Sequence, residues 1–172
     1  MKLTQRIVSC LLLLLLSRTS AQMPISTWSA IVLDKPFHAG DSHLRAMAHP
    51  KPDGKTFTGA FTLPDEIKPN VATILYLNLH VAGVLPMGGA ELEQVRKQPS
   101  LGSRLLINGN QAAILNTLPH LDASNSRYKK MTVRIAGTML HPGRNKIEVV
   151  PGRRSQSDDI EIDHIAVSTR AE

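Results

Sequence analysis

The sequence predicts an all-β domain, an antiparallel β-sandwich with at most one short helix. Three observations carry this. Residues Thr73 to Val81 alternate aliphatic and mixed side chains with a period of two, as a strand with one face on a core does. Turn residues recur at short intervals, with Asn108-Gly109 and Pro142-Gly143 the clearest pairs. No long apolar period of 3.6 residues follows residue 21.

Residues 1–21 read as a secretory signal peptide. Lys2 and Arg6 give a basic start, Ile7 to Leu16 an apolar run, and Thr19-Ser20-Ala21 a small-residue tail for cleavage after Ala21. That run is shorter than the roughly 20 residues of a membrane span, so no membrane span is expected. Cys10 precedes the leucines, whereas a lipoprotein cysteine would follow the apolar stretch. The chain is expected to be secreted or periplasmic. Removing Lys2, Arg6 and Arg18 takes the formal net charge from +6 to +3. So mild a charge does not suggest nucleic acid, which calls for a clustered basic stripe. The groups Arg127/Lys129/Lys130 and Arg153/Arg154 read as solvated turn charges. The single cysteine leaves with the signal, and with it any disulfide, thiol nucleophile or thiolate metal site. Residues 22–172 still suffice for one self-sufficient core, since about 150 residues bury about 68–70 % of their unfolded surface. One domain is expected, as a monomer.

The strands follow in order. Ala30 to Leu33 is the first. Phe57 to Leu63 places Phe57, Gly59, Phe61 and Leu63 on one side, and Pro64 closes it. In Thr73 to Val81, Leu75, Leu77, Leu79 and Val81 should face the core, leaving Ile74, Tyr76, Asn78 and His80 on the other face. Arg104 to Ile107 and Ala112 to Leu115 flank Asn108-Gly109, whose tolerance of positive φ suits a type I′ hairpin turn. Met131 to Ile135 and Lys146 to Val150 are further strands. Pro142-Gly143 between them fits the centre of a type II turn. In the last strand Ile160 and Ile162 share one phase, Ile165 and Val167 the other. A β-bulge at Asp163-His164 would return all four to the core. Ala90 to Lys97 is the helical candidate, with Glu93 spaced to pair with Lys97. It lies in a long connection, Leu85 to Ser103, of the kind that is often functional.

These phrases resemble the galactose-binding-like jelly rolls. Ile107-Asn108-Gly109 is similar to that family's hairpin. Leu140-His141-Pro142-Gly143-Arg144-Asn145-Lys146-Ile147 is similar to its "leucine-x-proline-glycine-x-asparagine-x-isoleucine" turn. Asp158 to Ile165, running into Ala166-Val167, resembles its closing strand, and Phe61 to Val81 fits its long inner strand. The likeness covers roughly residues 55–168. It implies a β-sandwich of jelly-roll type, as in carbohydrate-binding modules and the sugar-binding domains of some glycosidases. It also lends Asp158 and Asp159 a structural Ca2+, since related modules often hold one near their terminal strands. The sequence departs from sugar-binding faces in having few aromatics: Trp28, Tyr76 and Tyr128 beside Phe37, Phe57 and Phe61.

The remaining chemistry is sparse. Asp158, Asp159, Glu161 and Asp163 crowd a loop-to-strand junction, and carboxylates there suit a hard cation. His38, His43, His49, His80, His120, His141 and His164 include no H-E-x-x-H spacing. There is no G-x-S-x-G elbow, P-loop or G-x-G-x-x-G, so an enzyme is not expected. Tyr76, Asn78 and His80 are the candidate ligand-binding residues. They offer a ring face, an amide and an imidazole on one side of a strand. The expected function is an exported, non-catalytic, carbohydrate-binding module. The competing expectation is a structural or protein-interaction domain working through this sheet face or the Leu85–Ser103 loop.

Overall fold

A computed structural model of the chain describes residues 27–119, 121–122, 127–153 and 158–170. The segment expected to be a signal peptide, with its expected cleavage site, His120 and Arg154 lie outside them. Ten strands are described: β1 (Ser29–Leu33), β2 (Phe37–Ala39), β3 (Phe57–Thr62), β4 (Ile74–Ala82), β5 (Arg104–Ile107), β6 (Asn110–Ile114), β7 (Leu121–Asp122), β8 (Lys129–Ala136), β9 (Arg144–Val150) and β10 (Ile160–Ser168). One α-helix, α1 (Gly89–Lys97), and three short 3₁₀ turns complete the described chain.

The strands form two antiparallel sheets. The six-stranded sheet runs β1-β10-β4-β8-β7, with β2 also pairing β10. The four-stranded sheet runs β3-β9-β5-β6. The fold is therefore an all-β sandwich. Its core lies between the sheets, where alternation sends every second side chain. Leu75, Leu77, Leu79 and Val81 of β4 meet Met131, Val133 and Ile135 of β8 and the aliphatics of β10. Phe57, Phe61, Leu105, Ile107, Ile147 and Val149 face them from the other sheet. Gly59 shares the inward side of β3 because a Cβ there would stand 2.6 Å from Val32 Cγ1. Trp28 packs at the rim, its ring 6.2 Å from that of Phe61.

The bulge falls where the phase change demands it. The register of β10 against β4 shifts between Ile162 and His164, and Ile160, Ile162, Ile165 and Val167 are all buried. The hairpin also matches, with φ of 51° at Asn108 and 80° at Gly109, as a type I′ turn requires. Gly143 has φ of 74°, in keeping with the second central position of a type II turn. The two turns interlock. Asn145 is fully buried; its Oδ1 accepts the His141 N–H at 2.8 Å and the Asn108 side-chain amide at 2.9 Å. Its own amide donates to the His141 and Gly143 carbonyls. Asn108 in turn donates to the Met139 carbonyl and accepts from the Lys146 N–H.

Three details differ from the sequence expectation. Strand β2 carries no alternation long enough to reveal it, and strand β7 is only two residues long. Glu93 pairs with Arg96 at 2.9 Å rather than with Lys97, because i and i+3 are also neighbours on a helix face. Asn116, not singled out by the sequence, ties the long connection at both ends. It accepts from the Ser103 N–H and donates to the Leu85 carbonyl.

Candidate functional site

The outer face of the six-stranded sheet is built mainly from β4, β8 and β10. Tyr76, Asn78 and His80 point outward from β4, as the period of two requires. Arg134, Thr132 and Lys130 of β8 flank them on one side. Ser168, Ala166 and His164 of β10 flank them on the other. The three candidates thus share a face but not a site. Tyr76 is half-buried and lines an open pocket of about 480 Å³ at the start of β4. Glu66, Ile67, Lys68, Asn70 and Thr73, together with Thr169 of the chain's last described stretch, contribute to its walls.

The pocket wall is shaped by a tight turn. Asn70 Oδ1 accepts the N–H groups of Ala72 and Thr73, while its amide donates to the Lys68 carbonyl. Thr73 Oγ1 donates to that carbonyl at 2.6 Å. Asn70 and Thr73 are therefore committed to the wall, as asparagine and threonine commonly are in turns. Thr169 accepts the Trp28 N–H. Among the described residues, the lining side chains with no hydrogen bond of their own and able to meet a ligand are Tyr76, Glu66 and Lys68. Val71, between the lining residues Asn70 and Ala72 in sequence, is 88 % exposed.

Asn78 and His80 lie farther along β4, outside the pocket lining. Thr132 Oγ1 donates to Asn78 Oδ1 at 2.8 Å. The Asn78 amide nitrogen is buried without a hydrogen-bond partner among the described residues. His80 stacks against His164 with ring centroids 5.1 Å apart, and its Nδ1 lies 3.4 Å from Asp163 Oδ1. Burial holds the His80 imidazole below its ordinary pKa, helped by His164 and Lys130; Asp163 opposes the shift.

A strap, residues 40–53, roofs the far end of this face, and two carboxylates of the closing segment hold it. Glu161 is fully buried and accepts the N–H groups of Ala48 and His49 as well as the Tyr128 hydroxyl at 2.7 Å. Burial, then this bond to Glu161, pushes the Tyr128 phenol well above its ordinary value. Arg127 adds a bond to the Ala46 carbonyl. Asp159 Oδ1 accepts the Asp41 and Ser42 N–H groups and lies 3.1 Å from His38 Nε2. His38 is fully buried, and its other ring nitrogen faces the His49 carbonyl at 2.9 Å. Both ring nitrogens thus face oxygens. Asp159 thus holds the strap, with one carboxylate oxygen accepting two backbone N–H groups and facing the His38 ring. Its neighbour Asp158 is half-buried. Among the described residues no group of three His, Cys, Asp or Glu side chains gathers as a ready metal cage. Of the first-loop histidines, His38 is sealed in this network and His43 is exposed. These roles had no sequence signal, because a single buried His or Asp leaves no periodic mark.

No known family model matches the sequence. No curated protein matches it either. Among solved structures it is similar to a β-porphyranase of glycoside hydrolase family 86 from the human gut bacterium Bacteroides plebeius, at 13 % identity and a TM-score of 0.46. The match covers 83 % of this chain and 20 % of that one, so the chain spans about a fifth of that protein's length. No helix among the described residues is long and apolar enough to cross a membrane.

Proposed function

We propose that the chain is an exported, non-catalytic module with a galactose-binding-like sandwich of jelly-roll type, and that its ligand is a glycan held at Tyr76. One observation carries the reading. A half-buried tyrosine lines an open pocket of about 480 Å³ to which Glu66 and Lys68 also contribute, none of the three side chains hydrogen-bonded among the described residues. Pockets of roughly 300–1,000 Å³ with a few convergent polar groups suit small ligands. A ring face packs against the apolar face of a pyranose, and Glu66 and Lys68 offer an acceptor and donors to its hydroxyls.

A glycan-array screen of residues 22–172, followed by titration with the best hit, tests the reading. Tyr76→Ala should weaken binding at least tenfold while the melting temperature moves little. Equal binding by the variant, or an array without a hit, would reject the glycan. Export is tested separately by mass spectrometry, with secreted material expected to begin at Gln22. A protein partner is the second reading. It is favoured by the exposed apolar side chains of Val71 and of Ile31 on β1.

A further inference from the structure

We propose that His80, Asp163 and His164 form a binding site for a divalent transition-metal ion of the zinc type on the outer face of the six-stranded sheet. The bulge in β10 creates the grouping. In an unbroken strand Asp163 and His164 would point to opposite faces. The register shift between Ile162 and His164 leaves both outward, opposite His80 of β4. Two imidazoles and a carboxylate then share one patch, a donor set that suits zinc and its neighbours. Calcium, which takes six to eight oxygens, is poorly served by it.

The distances support a cation between these groups. Asp163 Oδ1 is buried and accepts no hydrogen bond among the described residues. It lies 3.4 Å from His80 Nδ1. That exceeds the roughly 2.7–2.9 Å of a charge-assisted hydrogen bond. It equals the edge of a zinc tetrahedron, since ligands at about 2.0–2.2 Å from a shared ion stand about 3.3–3.6 Å apart. Buried polar atoms are normally satisfied, and an ion at this edge would satisfy the carboxylate oxygen. His164 supplies the third donor. It is the direct cross-strand partner of His80, and their rings are 5.1 Å apart. The three side chains do not yet converge as a cage. The site therefore requires the His164 side chain to turn towards the other two on binding. The His80 and Asp163 side chains are 32 % and 30 % exposed, so the pair lies at the sheet surface, although the Asp163 Oδ1 atom itself is covered. Lys130, the partner of His80 on the opposite side, is exposed and adds a positive charge that weakens the site.

Zinc titrated into the untagged chain by calorimetry, with thermal melting in parallel, decides the matter. One ion should bind per chain and raise the melting temperature. His80→Ala, His164→Ala and Asp163→Asn should each weaken binding at least tenfold, and Lys130→Ala should tighten it severalfold. His49→Ala is the control, because His49 Nδ1 and Asp53 Oδ2 make a second exposed pair at 3.3 Å; it should leave the affinity unchanged. Melting of each variant without metal shows that it folds. The proposal is overturned if zinc does not saturate the parent below millimolar concentration. It is also overturned if binding survives in His80→Ala or His164→Ala, or if binding falls only in His49→Ala.

Discussion

Replacing Asn145 by alanine removes one amide that serves two turns. The side chain is fully buried and makes four hydrogen bonds, two to His141, one to Gly143 and one to Asn108. A net hydrogen bond contributes about 1 kcal/mol, and a buried group left unpaired costs about 1–3 kcal/mol. His141 is exposed, so water can recover part of what its backbone loses. The expected loss is therefore about 2–4 kcal/mol. For a domain of this size each kcal/mol moves the melting temperature by about 2–4 °C, which gives a fall of roughly 5–15 °C. Circular dichroism melts, with urea midpoints as a second measure, read it directly. Asn145→Asp keeps the accepting oxygen but loses both donated bonds and buries a charge, so it should be no milder. Asn108→Ala combined with Asn145→Ala should be clearly less damaging than the sum of the two, because the variants remove a shared bond. A melting temperature within about 2 °C of the parent, or strict additivity, would refute the interlock.

Gly109→Val should cost about 1 kcal/mol or more from its positive φ alone, since nothing lies within 4 Å of a Cβ built there; an unchanged melting temperature would show the turn relaxes freely. Asp159→Asn should lower the melting temperature by several degrees, because it changes the group that meets both the His38 ring nitrogen and the two strap N–H groups, loosening the 40–53 strap. In the same melts, a structural Ca2+ at Asp158 and Asp159 should raise the melting temperature at millimolar concentration, with a smaller rise in Asp159→Asn; no response would reject that site. Tyr128 holds its proton more tightly folded than unfolded, so its contribution is complete below pH 10 and is lost as pH rises above it. Tyr128→Phe should therefore show a shallower loss of stability between pH 10 and 11.5 than the parent; parallel curves would contradict that assignment.

The sequence by itself determined what is local. A period of two in Thr73 to Val81 can be satisfied only by a strand with Leu75, Leu77, Leu79 and Val81 inward. A change of phase between Ile162 and Ile165 leaves a bulge as the way to bury both pairs, and Asn108-Gly109 names its turn through the φ values the two residues tolerate. Only the tertiary structure decided what those pieces meet. It separated Tyr76, in the pocket walled by the Asn70 turn, from Asn78 and His80 on the same face. It committed Asp159 and Glu161 to backbone N–H groups more than a hundred residues away, and set Asn145 against Asn108. It also used the bulge to put Asp163 and His164 side by side opposite His80. The physical reason is range. Alternation and turn dihedrals are fixed within a few residues, whereas strand order, register and the partner of a buried polar group depend on how the whole chain closes its core.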